Sequence, residues 1–381
     1  MDKTKRKCPV CNSSSNTFMF DNRLAIISGK QLSNKIVACD ECYFIFADMI
    51  AGDEIYSEYY QKLSKYDVAS AELNDIDKCR VLKAVELVQE FTEKNAQVFD
   101  IGCGNSALLG ALKDQGYHKL SGIDPAQNCS ERALTYGIND VTRGSIVDFD
   151  LSLIQDADVI LVMAVLEHLV EPRNSIQRVV KGMKIGAKLI IEVPNLIYFN
   201  SIEGEPYGEF SIEHIQFFSL ASLLNMMAGL NLKIVGDAEL ELPHAGSLFA
   251  VFERISATAN EFHDASNDVA IIKKYIYDSN SKLQCCFEKL IDKNIILYGA
   301  GAHSARLLPQ LNERGIRVEM IVDSNPNYYG ETLGGIEIKD PIALNDMSDI
   351  PILISSFRSE SAIKSFCTER FANRLITFYG S

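Results

Sequence analysis

Three groups of residues in this 381-residue chain have the types and spacing to do chemistry. The first is a pair of knuckles, Cys8-Pro-Val-Cys11 and Cys39-Asp-Glu-Cys42. Two Cys-x-x-Cys pairs joined by a strand-like stretch can set four thiolates tetrahedrally around zinc. A closed four-sulfur site leaves no position for a reacting water, so its expected role is structural. The second is Asp100-Ile101-Gly102-Cys103-Gly104-Asn105-Ser106, followed one strand later by Gly122-Ile123-Asp124. Glycines at a strand end let the backbone turn tightly and approach a ligand, and the helix that follows offers free N–H groups. A carboxylate at the end of the next strand, Asp124, is placed to accept hydrogen bonds from ribose hydroxyls. The third glycine of a dinucleotide fingerprint is missing, and Asp100 inside the strand end suits an amino-acid moiety. These residues alone fit adenosine linked to methionine; another nucleotide or a purely structural turn are the remaining readings. The third group is Glu213-His214, in which an imidazole titrating near neutral pH is suited to proton abstraction.

The elements that must position these groups follow from periodicity. A helix is expected around Val81–Val88, then strands and helices alternate from Gln97. Strands are expected at Gln97–Ile101, Leu120–Ile123, Asp158–Met163 and Ala187–Val193, with helices between them. Leu232–Asp237 and Leu248–Glu253 follow without a helix between, which predicts an antiparallel edge to a parallel sheet. From Asn294 the pattern repeats in outline: strand, Gly299-Ala300-Gly301 turn, helix, strand, Asp323. Four segments result: 1–50, a zinc-binding domain; 51–255, a nucleotide-type α/β domain with a helical lead-in; 256–290, a helical connector; and 291–381, a smaller Rossmann-like domain.

Composition narrows the class. Net charge is −14, which disfavours nucleic acid or an anionic membrane as the partner. No apolar run reaches about 18 residues, so no membrane span is expected. Met1–Lys7 lacks the apolar core of a signal peptide, and the expected location is cytoplasmic. Ten cysteines there should be thiols or metal ligands, with Cys79, Cys129, Cys285, Cys286 and Cys367 as packing residues and Cys103 as a small residue in the glycine turn.

The run Asp100-x-Gly102-Cys103-Gly104, then Gly122-Ile123-Asp124-Pro125, then Val165-Leu166-Glu167-His168-Leu169 resembles the class I SAM-dependent methyltransferases over about residues 96–253. With the knuckles before it and the second glycine turn after it, the whole chain resembles the three-part sugar methyltransferases. The nearest group is the C-methyltransferases of nucleotide-linked 4-keto-6-deoxy sugars. The resemblance implies an α/β fold: a class I methyltransferase Rossmann-like sheet flanked by an N-terminal zinc-binding domain and a C-terminal smaller Rossmann-like domain. It implies two cofactors, S-adenosyl-L-methionine (SAM) and zinc, the latter on Cys8, Cys11, Cys39 and Cys42. Asp100, Gly102 and Gly104 would line the methionine end, Asp124 the ribose, Ser145 and Ile146 the adenine, and Met163 and Ala164 the sulfonium.

The resemblance also makes His214 the base that removes an α-proton, with Glu213 orienting it or holding a sugar hydroxyl. Tyr59 and Tyr60 lie in the segment from which the family draws site tyrosines. His244 and Ser247 form a turn near the substrate, with Ala245 where the family has glycine, and Ser211 stands where it has tyrosine. Gly299, Gly301 and His303 would hold the nucleotide part of a nucleotide-activated sugar. O- or N-methylation of a sugar or surface-polysaccharide precursor, and a non-catalytic SAM-fold binding subunit, are the alternative functions.

Overall fold

A computed structural model describes residues 5–25, 31–50, 73–200, 204–242, 245–257, 261–288 and 290–379. Among these residues the strands form sheets of four, seven and six.

The N-terminal strands are β1 (Asn16–Ala25), β2 (Gln31–Cys39) and β3 (Ile45–Asp48), joined antiparallel. The knuckles sit at the turns that close this hairpin stack. Side chains alternate along the strands, as a pleated sheet requires. Val37, Cys39, Phe44 and Phe46 pack into the same core as Phe99, Ile160, Val193 and Phe218 of the middle domain. Ile36, Ala38, Ile45 and Ala47 face the opposite way, into a core with Ile295, Leu308 and Leu311 of the C-terminal domain. The module expected to stand apart is therefore a wedge buried on both faces.

The middle domain begins with helix α1 (Asp75–Phe91), capped where Asn74 accepts from the Asp77 N–H. Then come β4 (Gln97–Ile101), α2 (Ala107–Asp114), β5 (Lys119–Asp124), α3 (Cys129–Thr135), β6 (Asp140–Arg143), β7 (Val159–Met163), α4 (Pro172–Gly182) and β8 (Lys188–Pro194). Runs such as Val-Ile-Leu-Val are buried on both faces because helices cover both sides of a parallel sheet. Next are β9 (Gln216–Phe217), α5 (Leu220–Met227), β10 (Leu232–Leu242) and β11 (Ala245–Arg254). The sheet runs β6-β5-β4-β7-β8-β11-β10. Strand β11 is antiparallel to both neighbours. The antiparallel strand is thus inserted beside the edge, and β10 is the edge itself. Strand β9 leaves this sheet and pairs with β3, adding a fourth strand to the N-terminal module.

Helix α6 (Ser266–Glu288) connects to the last domain: β12 (Asn294–Tyr298), α7 (Ala302–Glu313), β13 (Arg317–Val322), β14 (Thr332–Leu333), β15 (Ile336–Lys339), β16 (Ile352–Ile354), α8 (Glu360–Arg370) and β17 (Leu375–Thr377). Five of its strands are parallel, in the order β15-β13-β12-β16-β17, with β14 as a hairpin on the edge. A six-stranded sheet fits into this short segment because the link from β13 to β15 is a single 3-10 turn and a hairpin, not an α-helix.

Candidate active site

In the middle sheet the strand order reverses between β4 and β7, and ligands of such folds bind beyond the strand ends at that point. The turn after β4 is folded back by Gly102 and Cys103, whose N–H groups donate to the Ile123 carbonyl at 2.8 and 3.1 Å. Gly102 has φ +79°, and a Cβ there would lie 2.5 Å from a methyl of Val165. The Asp124 carboxylate accepts from the Gly104 N–H at 2.8 Å and from the Ala126 N–H at 2.9 Å. Both bonds hold it at the mouth of the turn and leave lone pairs on each oxygen. Two non-glycine residues flanking the crevice, Ser106 and Ala164, take positive φ, a strain that collects at functional sites.

Asp100 is 2% exposed, and one carboxylate oxygen has no hydrogen-bond partner among the described residues. Burial, with the neighbouring Asp124 charge adding to it, pushes its pKa up to about 7. A ligand with a positive charge at that end would supply a counter-charge. Ser145 caps a turn by accepting from the Phe149 N–H at 3.0 Å, and Ile146 is buried behind it. Met163 ends β7 half-buried, and the Ala164 N–H donates to the Glu192 carbonyl at 3.0 Å. The residues expected to line the SAM site thus stand on the strand-end side of the seven-stranded sheet.

Beyond β7, the short turn Leu166–His168 brackets the segment that carries His214. His168 Nδ1 lies 3.0 Å from the Glu213 carbonyl, the Ile215 N–H donates to the Glu167 carbonyl at 2.8 Å, and Gln216 Nε2 donates to the Leu169 carbonyl at 2.7 Å. The residues on either side of His214 are therefore pinned, and its ring stands edge-on to His168 with centroids 5.0 Å apart. The His214 N–H donates to Ser211 Oγ at 2.9 Å, so the serine found in place of a tyrosine shapes this turn. Burial lowers the His168 pKa to about 4. Burial and then the Glu192 charge raise that of Glu167 to about 8. Glu192 is itself satisfied by a two-point ion pair with Arg80 of α1. The Glu167–His168 bracket was not legible as such, because its partners lie some 45 residues away.

The loop before His214 is a hub. The Phe210 carbonyl accepts from Arg306 of α7 and from Asn22 of β1, each at 3.1 Å. The Glu209 N–H donates to Tyr275 Oη of α6 at 3.0 Å. Arg306 is buried and also donates to Asn22 Oδ1 at 3.3 Å. All three other parts of the chain therefore hold the loop that leads to His214. Arg306 carried no sequence signal.

Ser247 is buried in β11 opposite Pro194. His244, Tyr59 and Tyr60 lie outside the described residues. In the C-terminal unit the geometry of the first turn recurs: Asp323 accepts from the Ala300 and Asn325 N–H groups, both at 2.7 Å. Gly299 has φ +112°, and a Cβ there would lie 2.8 Å from the Ser355 carbonyl. Ser304, in the place of a third glycine, donates to the Gly299 carbonyl. Gly301 caps α7. His303 is buried, with one ring nitrogen 2.9 Å from Ser355 Oγ and the other on Tyr379 Oη, so its contacts are to its own domain.

The four knuckle sulfurs converge, with Cys8 and Cys42 3.5 Å apart and Cys11 and Cys39 3.4 Å apart. Tetrahedral zinc–sulfur bonds of about 2.3 Å require sulfurs roughly 3.8 Å apart, so the cluster could hold zinc with little movement. Two cysteines expected to pack, Cys79 and Cys285, are exposed. Among the described residues no helix is long and apolar enough to cross a membrane.

Residues 74–236 match the family model of a methyltransferase domain. Among curated proteins, a ubiquinone biosynthesis O-methyltransferase of Xylella fastidiosa (strain 9a5c) is 31% identical over 108 residues, or 26% of this chain and 42% of that protein. A protein of the same name from Coxiella burnetii (strain Dugway 5J108-111) is 28% identical over 133 residues, covering 33% of this chain and 56% of its own length. The chain thus spans about half the length of these relatives. Among solved structures, the N-methyltransferase NodS of Bradyrhizobium japonicum WM9, in complex with S-adenosyl-l-homocysteine, matches with TM-score 0.41 and 19% identity, over 53% of this chain and 99% of that one. Residues 74–236 are thus similar to a methyltransferase domain, and they carry strands β4 to β8 of the seven-stranded sheet given above.

Proposed function

We propose that this protein transfers the methyl group of SAM to carbon in a nucleotide-linked keto-deoxysugar, with His214 as the base. The observation that carries the reading is the bracket on His214: a histidine pinned from both sides beyond the end of β7, the strand whose last residues would flank the sulfonium. Asp100, Gly102, Gly104, Asp124, Ser145, Ile146, Met163 and Ala164 would hold SAM, which supplies an electrophilic methyl group when bound. His214 takes the proton from the carbon beside the ketone, and that carbon becomes the nucleophile. Glu213, next in the chain, orients the sugar or the ring. The bracketing turn keeps the imidazole from drifting, which matters because small misplacements of a reacting group cost large factors in rate.

The second glycine turn, with Gly299, Gly301 and Asp323, is proposed to face the nucleotide of the substrate, and Cys8, Cys11, Cys39 and Cys42 to hold a structural zinc. His303, enclosed by Ser355 and Tyr379, is then a residue that shapes this turn. His244, Ser247, Tyr59 and Tyr60 remain candidates for the sugar end. Transfer to oxygen is the second reading; the curated relatives named as ubiquinone biosynthesis O-methyltransferases favour it.

The test of the leading reading is exchange of the sugar's α-proton with deuterated water. Wild-type protein should catalyse the exchange, and His214→Ala should lose it while still binding SAM. Exchange that survives in the variant places the base elsewhere.

A further inference from the structure

We propose that Glu167, His168 and His214 form a divalent transition-metal site, and that an ion bound there silences the enzyme by occupying its base. The silencing rests on the reading of His214 as the base; the metal site itself does not. One carboxylate oxygen and one nitrogen from each ring all lie within 4.8 Å of one another. Donors on a common ion with bonds of about 2.1 Å sit roughly 3 to 4 Å apart, so a small closing motion suffices. His168 Nε2 and Glu167 Oε1 are 3.7 Å apart, too far for a hydrogen bond and close enough for neighbouring ligands.

Two features orient the donors. His168 Nδ1 faces the Glu213 carbonyl, which only accepts, so Nδ1 carries the proton and Nε2 offers its lone pair toward Glu167. This carbonyl–imidazole arrangement supports the ligand histidines of metal sites. The Glu167 side chain is 2% exposed, and its Oε2 has no hydrogen-bond partner among the described residues. The nearby Arg80 is engaged at both ends of Glu192, which pairs its charge. Two imidazoles and one carboxylate with open positions select zinc, cobalt, nickel or ferrous iron over magnesium or calcium. An ion accepts the lone pair on His214 that would otherwise take the substrate proton, so metal binding and proton abstraction exclude each other.

The protein, with its cysteine site filled, would be titrated with zinc. Metal analysis after dialysis should find two ions per chain in the wild type, and Glu167→Gln and His168→Gln should weaken the second at least about tenfold. Two-bond proton–nitrogen spectra of histidine-labelled wild type need no variant: the ring nitrogens of His168 and His214 should shift with the second equivalent. One ion per chain, or a second that shifts neither ring, overturns the site. If the rings shift and methyl transfer continues undiminished, the silencing is overturned. Transfer that survives His214→Ala refutes the base assignment and leaves the metal result standing.

Discussion

Replacing Asp100 by asparagine should make the unliganded protein more stable at neutral and alkaline pH. The folded carboxyl is pushed from its ordinary 3.8 up to about 7 by burial and then by Asp124. A group whose pKa rises on folding favours the folded state while protonated. Its contribution is complete below pH 4 and is lost as pH climbs through about 7. The shift of about three units corresponds to about 4 kcal/mol of stability given up above pH 7. Asparagine keeps the shape and cannot ionise, so it avoids that loss. Denaturant unfolding of wild type and Asp100→Asn, without ligand, should show equal stability near pH 4 and a gap that widens to its full size by pH 8. S-adenosylhomocysteine should then raise the wild type's stability more than the variant's, because its ammonium needs the ionised carboxylate. A variant no more stable than wild type at pH 8, or a gap that does not change with pH, refutes the reasoning. Such a residue is one that a site keeps at the expense of stability.

Other perturbations bear on the same site and its supports. Asp124→Ala removes the acceptor for the Gly104 and Ala126 N–H groups and should abolish SAM binding in calorimetry; unchanged affinity would remove the ribose assignment. Gly102→Ala forces a Cβ to 2.5 Å from Val165 at positive φ and should cost at least about 1–2 kcal/mol in denaturant unfolding; a neutral result would mean the turn relaxes freely. Chelating zinc from the four cysteines should sharply lower the thermal midpoint, since the module they close fills two cores. A chelator that leaves zinc content and midpoint unchanged together would show no accessible site, and zinc-free protein of equal stability would show the site is not structural.

The legible parts of the site were those with local signatures. Gly102, Gly104 and Asp124 declare themselves because a tight turn and a strand-end acid each demand a residue type at a fixed spacing. The knuckles do so for the same reason. The parts that were not legible depend on distant contacts. Gln216-Phe217 is too short to announce a strand, and its partner Ile45-Phe46 lies far away in the chain. Arg306 looks like one more helical arginine until its contacts with Asn22 and Phe210 are seen. Val165–Leu169 was readable as a family run, but the hydrogen bonds between it and residues 213–216 come only with the fold. The N-terminal segment read as a separate domain because its cysteines are self-contained. In the fold its strands bury residues on both faces, against the other two domains.

The acceptor atom of the methyl group separates the two readings of this protein. The most direct measurement is carbon NMR of a nucleotide-linked 4-keto-6-deoxy sugar after incubation with the protein and SAM carrying a carbon-13 methyl group. The expected product carries a labelled methyl bonded to a ring carbon beside the ketone, formed by the wild type and absent with His214→Ala. A label found on oxygen, or formed equally by the variant, contradicts it.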